Sequence, residues 1–186
     1  MLIPAFELGL WNAWVFMIYV VFSNFLPPIL VGKLIDKKIL QKLGADRPLS
    51  DNEKALLNIY SLLFFAIIAY SVFVPLDLGT IWFYVGFIVY LLGVTIETVA
   101  TINFFTTHVD QPVNKGIYRF SRNPMYLGIF LIFLGTSIAC VSLIFLILTT
   151  IFIVLSHFVV VYEEQFCAQK YGNAYQRYLN RIPRWI

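Results

Sequence analysis

Two short stretches of this sequence concentrate side chains that could do chemistry. The first, 114–128, reads NKGIYRFSRNPMYLG and carries amide, guanidinium and phenol groups up to the start of an apolar run. Pro124 suits the first turn of a helix and Asn123 suits the cap before it, so the segment is either a well-formed helix start or a ligand-binding loop. The second stretch is the pair Glu163 and Glu164, which we place at the C-terminal end of a helix, where the dipole disfavours negative charge. Such a pair could neutralise a cationic ligand, and because adjacent residues point to different sides of a helix, at most one carboxylate can easily face a given site.

A third acid, Glu97, lies inside an apolar run, about two turns from the end that we predict to be cytoplasmic. An ionisable residue within a membrane is costly, which makes it a candidate for a function. A hydrogen bond that fixes helix packing explains it equally well, and both interpretations stay open.

The motifs of common hydrolases and metalloenzymes (HExxH, GxSxG, CxxC and the Walker loop) do not occur. His108 and His157 are isolated, which favours structural roles, and we predict no metal site. Cys140 and Cys167 are the only cysteines. The topology below places them on opposite membrane faces, so a disulfide is not expected.

The composition predicts that membrane helices position these groups. The chain is 60% hydrophobic and 12% charged, whereas soluble domains carry roughly 25% charged residues. A hydrocarbon core of about 30 Å needs about 20 apolar residues per helix, and backbone amides there must bond within their own segment. Apolar blocks occur at 10–30, 55–74, 81–104, 125–139 and 143–162. We therefore predict an all-α, polytopic membrane protein with about five transmembrane helices, forming one domain over 1–186; the fourth block is short, so a final hairpin that does not fully cross remains open.

The basic residues orient this bundle. All 13 Lys and Arg lie in 31–54, 115–122 and 170–184, which predicts an outside N-terminus and a cytoplasmic tail. Residues 165–186 mix aromatic and basic side chains, as a short interfacial helix does. Residues 1–9 lack the basic region of a cleavable signal peptide, so we expect the first apolar block to be retained. The absence of such a signal suits a prokaryotic inner membrane. Contact with anionic lipids explains the net charge of +3, and no nucleic-acid partner is expected.

These residues together resemble the isoprenylcysteine carboxyl methyltransferase and phospholipid methyltransferase family. The resemblance covers about 100–186, and the first two helices carry no diagnostic residue. Its residues are GIY at 116–118, RNPMYLG at 122–128, Glu163 and Glu164, KYG at 170–172, Tyr175, Tyr178, and RIP at 181–183.

The resemblance implies an integral membrane methyltransferase that uses S-adenosylmethionine at the cytoplasmic face, with 101–186 as the cofactor-binding half. Its acceptor would be a lipidic or hydrophobic small molecule. Glu163 falls on the family's carboxylate beside the reacting centre, with Glu164 next to it, so both are expected to be catalytic. The implied cofactor contacts are Asn103, Asp110, Gln111, Pro112, Val113, Tyr118, Asn123, Pro124, Met125 and Tyr126.

Two positions depart from the family pattern. Asn123 stands where a histidine usually precedes the proline, so this position can hydrogen-bond a cofactor but cannot act as a titratable base. Val159 stands where the prenylcysteine enzymes carry an arginine linked to substrate, which removes a natural partner for a carboxylate acceptor. Methyl transfer itself needs mainly alignment and exclusion of water, and no covalent nucleophile on the enzyme. The acceptor (amine, carboxylate or thiol) and the oligomeric state stay open.

Two alternatives remain. One is a membrane reductase of the sterol-reductase type, whose C-terminal part also has an Arg-x-Pro-x-Tyr loop and a Tyr-Gly tail and binds NADPH. Cys167 and 170–172 are compatible with it, although those enzymes have much longer chains. A small membrane scaffold is the other alternative, in which Glu97 and Glu163 only pack helices.

Overall fold

The computed structural model describes residues 8–34, of which 25–34 as backbone only, and residues 48–186. Within these ranges the chain forms helices and connecting turns and no β-strand, which confirms the predicted all-α membrane fold. Most of the basic loop predicted at 31–54 lies outside the described residues. The α-helices are α1 Trp14–Leu34, α2 Asp51–Ser71, α3 Ile81–Thr106, α4 Pro124–Ala139, α5 Leu143–Tyr171 and α6 Asn173–Leu179, with a 3₁₀ helix at Gly116–Arg119.

Three of these helices, α2, α3 and α5, are long and apolar enough to cross a membrane. The described side chains of α1 form a shorter apolar segment, Trp14–Asn24. Helix α4 has 16 residues, or about 24 Å of helix, which is less than a hydrocarbon core of about 30 Å. It nevertheless turns back tightly at Cys140 into α5, as predicted.

Some helix boundaries differ from the predicted blocks, because hydrogen bonds at the helix ends set them. Helix α1 starts at Trp14 because residues 11–13 pair with the chain before α3: Ala13 N–H donates to the Val74 carbonyl at 2.8 Å. The same pairing ends α2 at Ser71. At its other end α2 begins at Asp51, since the Ser50 hydroxyl accepts from the Glu53 N–H and caps the first turn.

Helix α5 is nine residues longer than the predicted block and ends at Tyr171, before Gly172 at φ +53°. The placement of Glu163 and Glu164 at a helix end was therefore wrong, because no helix breaker occurs before Gly172. From Leu143 to Glu163 the helix rises about 30 Å, one hydrocarbon thickness, so a membrane whose hydrocarbon core begins at Leu143 would have its other boundary at the two acids. The interfacial helix predicted over 165–186 is reduced to α6 and a tail without regular structure.

Helices α3 and α4 pack backbone against backbone, through glycines spaced seven residues apart on both. A Cβ at Gly86 would lie 2.5 Å from the Gly135 carbonyl, and one at Gly93 would lie 2.8 Å from the Gly128 carbonyl. Small residues permit this approach, which is a common way for membrane helices to associate. The contact sets the position of α4, and with it the polar segment that precedes α4.

Glu97 lies on α3 against this seam and is buried. The Thr101 hydroxyl donates to its Oε1 at 3.0 Å, and the Tyr19 hydroxyl on α1 donates to its Oε2. Both oxygens thus have partners from the bundle, which supports the packing interpretation of this acid.

Candidate active site

A cleft opens at the boundary end of the bundle, where α3, α4, α5 and α6 converge with the loop between α3 and α4. It contains about 670 Å³ of unoccupied space, including its open mouth. Its lining is rich in aromatic side chains and includes both acids of α5. The lining residues are Phe104, Pro112, Val113, Tyr118, Arg122, Asn123, Met125, Tyr126, Glu163, Glu164, Cys167, Tyr171, Tyr175 and Tyr178.

Eight of the twelve site residues predicted from the sequence line this cleft. They are Pro112, Val113, Tyr118, Asn123, Met125, Tyr126, Glu163 and Glu164. The segment before α4 and the acids of α5 therefore meet on one side of the bundle, although about 40 positions separate them in the chain.

The remaining four predicted residues lie around the cleft. Gln111 lines an adjoining hollow, and the exposed Asp110 carboxylate lies 3.3 Å from the His108 ring. Pro124 is buried at the first turn of α4, as predicted. The side-chain nitrogen of Asn103 is buried without a hydrogen-bond partner in the described part of the chain, and a Cβ at Gly116 (φ +56°) would come within 2.2 Å of it.

The two acids have different environments, as expected for neighbours on a helix. Glu163 is exposed, and its Oε1 accepts a hydrogen bond of 2.8 Å from the Tyr126 hydroxyl at the start of α4. Glu164 is buried behind it. A ligand in the cleft can therefore reach the carboxylate of Glu163 more readily than that of Glu164.

Glu164 is held by two arginines. Arg122 donates to it through Nε at 3.0 Å and Nη2 at 3.3 Å, and Arg184 donates through Nε at 3.1 Å and Nη2 at 2.8 Å. The third nitrogen of Arg122 donates to the carbonyls of Leu179 and Ile182, both at 2.9 Å. Paired contacts of this kind are strong and directional, so they join α4, α5 and the C-terminal tail.

Asn123 occupies the N-cap position of α4, but its side chain makes no capping bond. Its amide nitrogen instead donates to Glu164 at 3.1 Å and to the Arg184 carbonyl at 3.2 Å. The expected capping bond was thus wrong, because a buried carboxylate and a tail carbonyl take the donor. A neutral amide fits this position, since it adds no third positive charge beside Glu164.

Two buried phenols close the cleft on the side of α6. The Tyr178 hydroxyl donates to the Tyr118 carbonyl at 2.7 Å, which ties α6 to the 3₁₀ helix. Burial raises the pKa of both phenols well above the ordinary value, in Tyr178 against an opposing effect of nearby Arg122. Both hydroxyls therefore remain protonated at physiological pH.

Several site residues were not predicted. Arg122 and Arg184 hold Glu164, and Cys167, Tyr171 and Phe104 add to the lining. The tyrosines at 171, 175 and 178 have the spacing of one helical face, which could have indicated a shared surface, although Gly172 divides them between α5 and α6. In the described part of the chain, no three His, Cys, Asp or Glu side chains are grouped as metal ligands would be, and both cysteines are free thiols.

The sequence of the chain can be compared with those of known proteins. Residues 76–174, more than half of the 186 in the chain, match the family model described as phospholipid methyltransferase. The match includes the whole cleft lining except Tyr175 and Tyr178. No curated protein and no solved structure matches the chain significantly. As the resemblance over about 100–186 predicted, the chain belongs to the phospholipid methyltransferase family.

Proposed function

We propose that this protein transfers a methyl group from S-adenosylmethionine to a lipidic or hydrophobic small-molecule acceptor at the cytoplasmic face of the membrane. Membership of the family supports methyl transfer. The observation that carries the proposal is the exposed Glu163 carboxylate, held by Tyr126 in a cleft rich in aromatic side chains. Residues 1–186 would form a single membrane domain, with 101–186 as the cofactor-binding half.

The lining of the cleft fits a cationic cofactor. S-adenosylmethionine supplies a methyl group on a positively charged sulfur. Aromatic faces and carboxylates both stabilise a cation, and the lining offers Phe104, five tyrosines and Glu163 for this purpose. The tyrosines are Tyr118, Tyr126, Tyr171, Tyr175 and Tyr178.

One buried amide next to the cleft lining also fits a polar ligand: Asn103 directly precedes Phe104, which lines the cleft. An unpaired buried donor is costly, and Asn103 keeps one beside the 3₁₀ helix that carries Tyr118. We assign this amide to the cofactor, together with the loop residues Asp110 and Gln111 and the start of α4. A cofactor acceptor at the Asn103 nitrogen would remove the cost of leaving that donor unpaired.

The two acids have different roles in this proposal. Glu163 orients the acceptor or takes its proton, because its exposed carboxylate lines the cleft and is oriented by the Tyr126 hydroxyl. Glu164 acts as a positioning residue, because two arginines and an amide occupy its oxygens. The aromatic wall excludes water from the reacting atoms, and a lipidic acceptor enters sideways between the helices.

Binding and turnover test the proposal. Purified full-length protein is titrated calorimetrically with S-adenosylhomocysteine and with NADPH, and labelled S-adenosylmethionine is incubated with native lipid extract. We expect S-adenosylhomocysteine to bind and a labelled lipid product to form. Binding of NADPH alone would indicate a reductase, and binding of neither compound would favour the membrane scaffold.

The role of Glu163 is tested with Glu163→Gln and the control Asp51→Asn, which removes one acidic charge at an exposed position on α2. We expect Glu163→Gln to lower product formation with an unchanged melting temperature, and Asp51→Asn to leave both unchanged. Full activity of Glu163→Gln would contradict the assigned role.

A further inference from the structure

A second hollow adjoins the cleft on the side of the 3₁₀ helix and α6. It contains about 1030 Å³ of unoccupied space, including its open mouth, and Pro112 and Tyr178 line both hollows. Three arginines line it: Arg119, Arg177 and Arg181. We call this hollow the arginine groove.

The charge of the arginine groove is not neutralised within the described part of the chain. Its three arginines are exposed and make no ion pair there, and none of the described lining residues is acidic. By contrast, the two arginines behind the cleft are both paired with Glu164. The groove therefore concentrates unpaired positive charge directly beside the cleft.

The donors in the groove suit a phosphate group. A guanidinium presents a planar fork of N–H groups that matches two phosphate oxygens at once. Arg177 lies on α6 and Arg181 two residues beyond its end, and both side chains line the groove. The side chain of Asn114 adds a neutral donor to the lining.

The groove also lies at the right level for a lipid headgroup. Helix α6 follows α5 just beyond the membrane boundary, where headgroup phosphates lie and where basic residues bind them. We propose that the arginine groove binds the phosphate group of a lipid whose methyl acceptor reaches into the adjoining cleft. The second half of this statement rests on the proposed methyl transfer, whereas the phosphate site itself does not.

The experiment uses the full chain in detergent and the soluble short-chain lipid dihexanoylphosphatidylglycerol. Binding is measured calorimetrically for wild type, for Arg177→Gln/Arg181→Gln, and for the control Lys54→Gln/Lys115→Gln, which removes two exposed cations outside the groove. Dihexanoylglycerol, which lacks the phosphate, and inorganic phosphate are titrated in parallel. S-adenosylhomocysteine is titrated into all three proteins, and methyl transfer to native lipid extract is measured with each.

We expect the arginine variant to bind the phospholipid roughly tenfold more weakly or worse, because two charge-assisted contacts are lost. The control should bind it like wild type, dihexanoylglycerol should not bind, and S-adenosylhomocysteine affinity should be the same in all three. Methyl transfer should fall in the arginine variant alone. Absence of S-adenosylhomocysteine binding and of transfer in wild type would refute the proposed function while leaving the phospholipid titration valid.

Three outcomes would overturn the phosphate site. Equal weakening in both variants would show a diffuse surface charge rather than a groove. A parallel loss of S-adenosylhomocysteine affinity in the arginine variant would assign the groove to the cofactor. Displacement of the phospholipid by inorganic phosphate at equal concentration would make free phosphate, and not a lipid, the ligand.

Discussion

Glu164→Gln tests how the active site is held together. The substitution keeps the shape of the side chain but removes the charge that both Arg122 and Arg184 contact. The Glu164 and Arg122 side chains are 7% and 11% exposed, so their pair is buried, whereas Arg184 at 30% is partly screened by solvent. Removing one partner of a buried ion pair costs about 3–5 kcal/mol. Because glutamine retains one acceptor and Arg184 can reach water, we expect the lower end, about 3 kcal/mol.

The assay is thermal unfolding of the full chain in detergent, together with limited trypsin digestion. A loss of about 3 kcal/mol should lower the melting temperature by about 6 °C or more in a chain of this length. Cleavage after Arg181 and Arg184 should also accelerate, because Arg122 and Asn123 hold the tail only while Glu164 holds their side chains in place.

Glu163→Gln is the matched control, because it makes the same chemical change one residue away at an exposed position. It should leave the melting temperature and the digestion rate unchanged. Equal melting temperatures for the Glu164 variant and wild type would refute the ion-pair reasoning, and an equal loss in both variants would show that the change in net charge alone is responsible.

Three further substitutions or modifications follow from the packing. Gly135→Ala should destabilise the protein by about 1–3 kcal/mol and so lower its melting temperature, since the added Cβ would lie 2.4 Å from a backbone nitrogen of α3. An unchanged melting temperature would contradict the close packing of α3 and α4. N-ethylmaleimide, followed by mass spectrometry, should modify Cys167 in the cleft much faster than buried Cys140, and S-adenosylhomocysteine should slow the modification of Cys167. Equal rates for the two cysteines would contradict the position of Cys167 in the cleft. Tyr178→Phe should cost about 1 kcal/mol through its lost bond to the Tyr118 carbonyl, and a larger fall in S-adenosylhomocysteine affinity than in stability would show that the hydroxyl also serves the ligand.

Local patterns were sufficient to predict the helical membrane fold and part of the cleft lining. Apolar runs of membrane length can only be helical, because hydrocarbon offers no partner for a backbone amide. Pro124 placed the start of α4 within one residue, and the separation of Glu163 from Glu164 onto different faces follows from helix geometry alone. These properties depend on residues a few positions apart, which is the range over which a sequence can be interpreted directly.

Only the tertiary structure decided which groups engage one another. Arg122 and Glu164 are 42 positions apart, and nothing local distinguishes the acid that is paired from the acid that faces the cleft. The glycine seam between α3 and α4 sets the depth and rotation of α4, which brings the Asn123 amide to Glu164 instead of to its own helix end. The arginine groove likewise exists only because α6 folds back beside the 3₁₀ helix. The reason is common to all three: a side chain's partner is determined by the packing of distant backbone segments, which residue type and spacing do not encode locally.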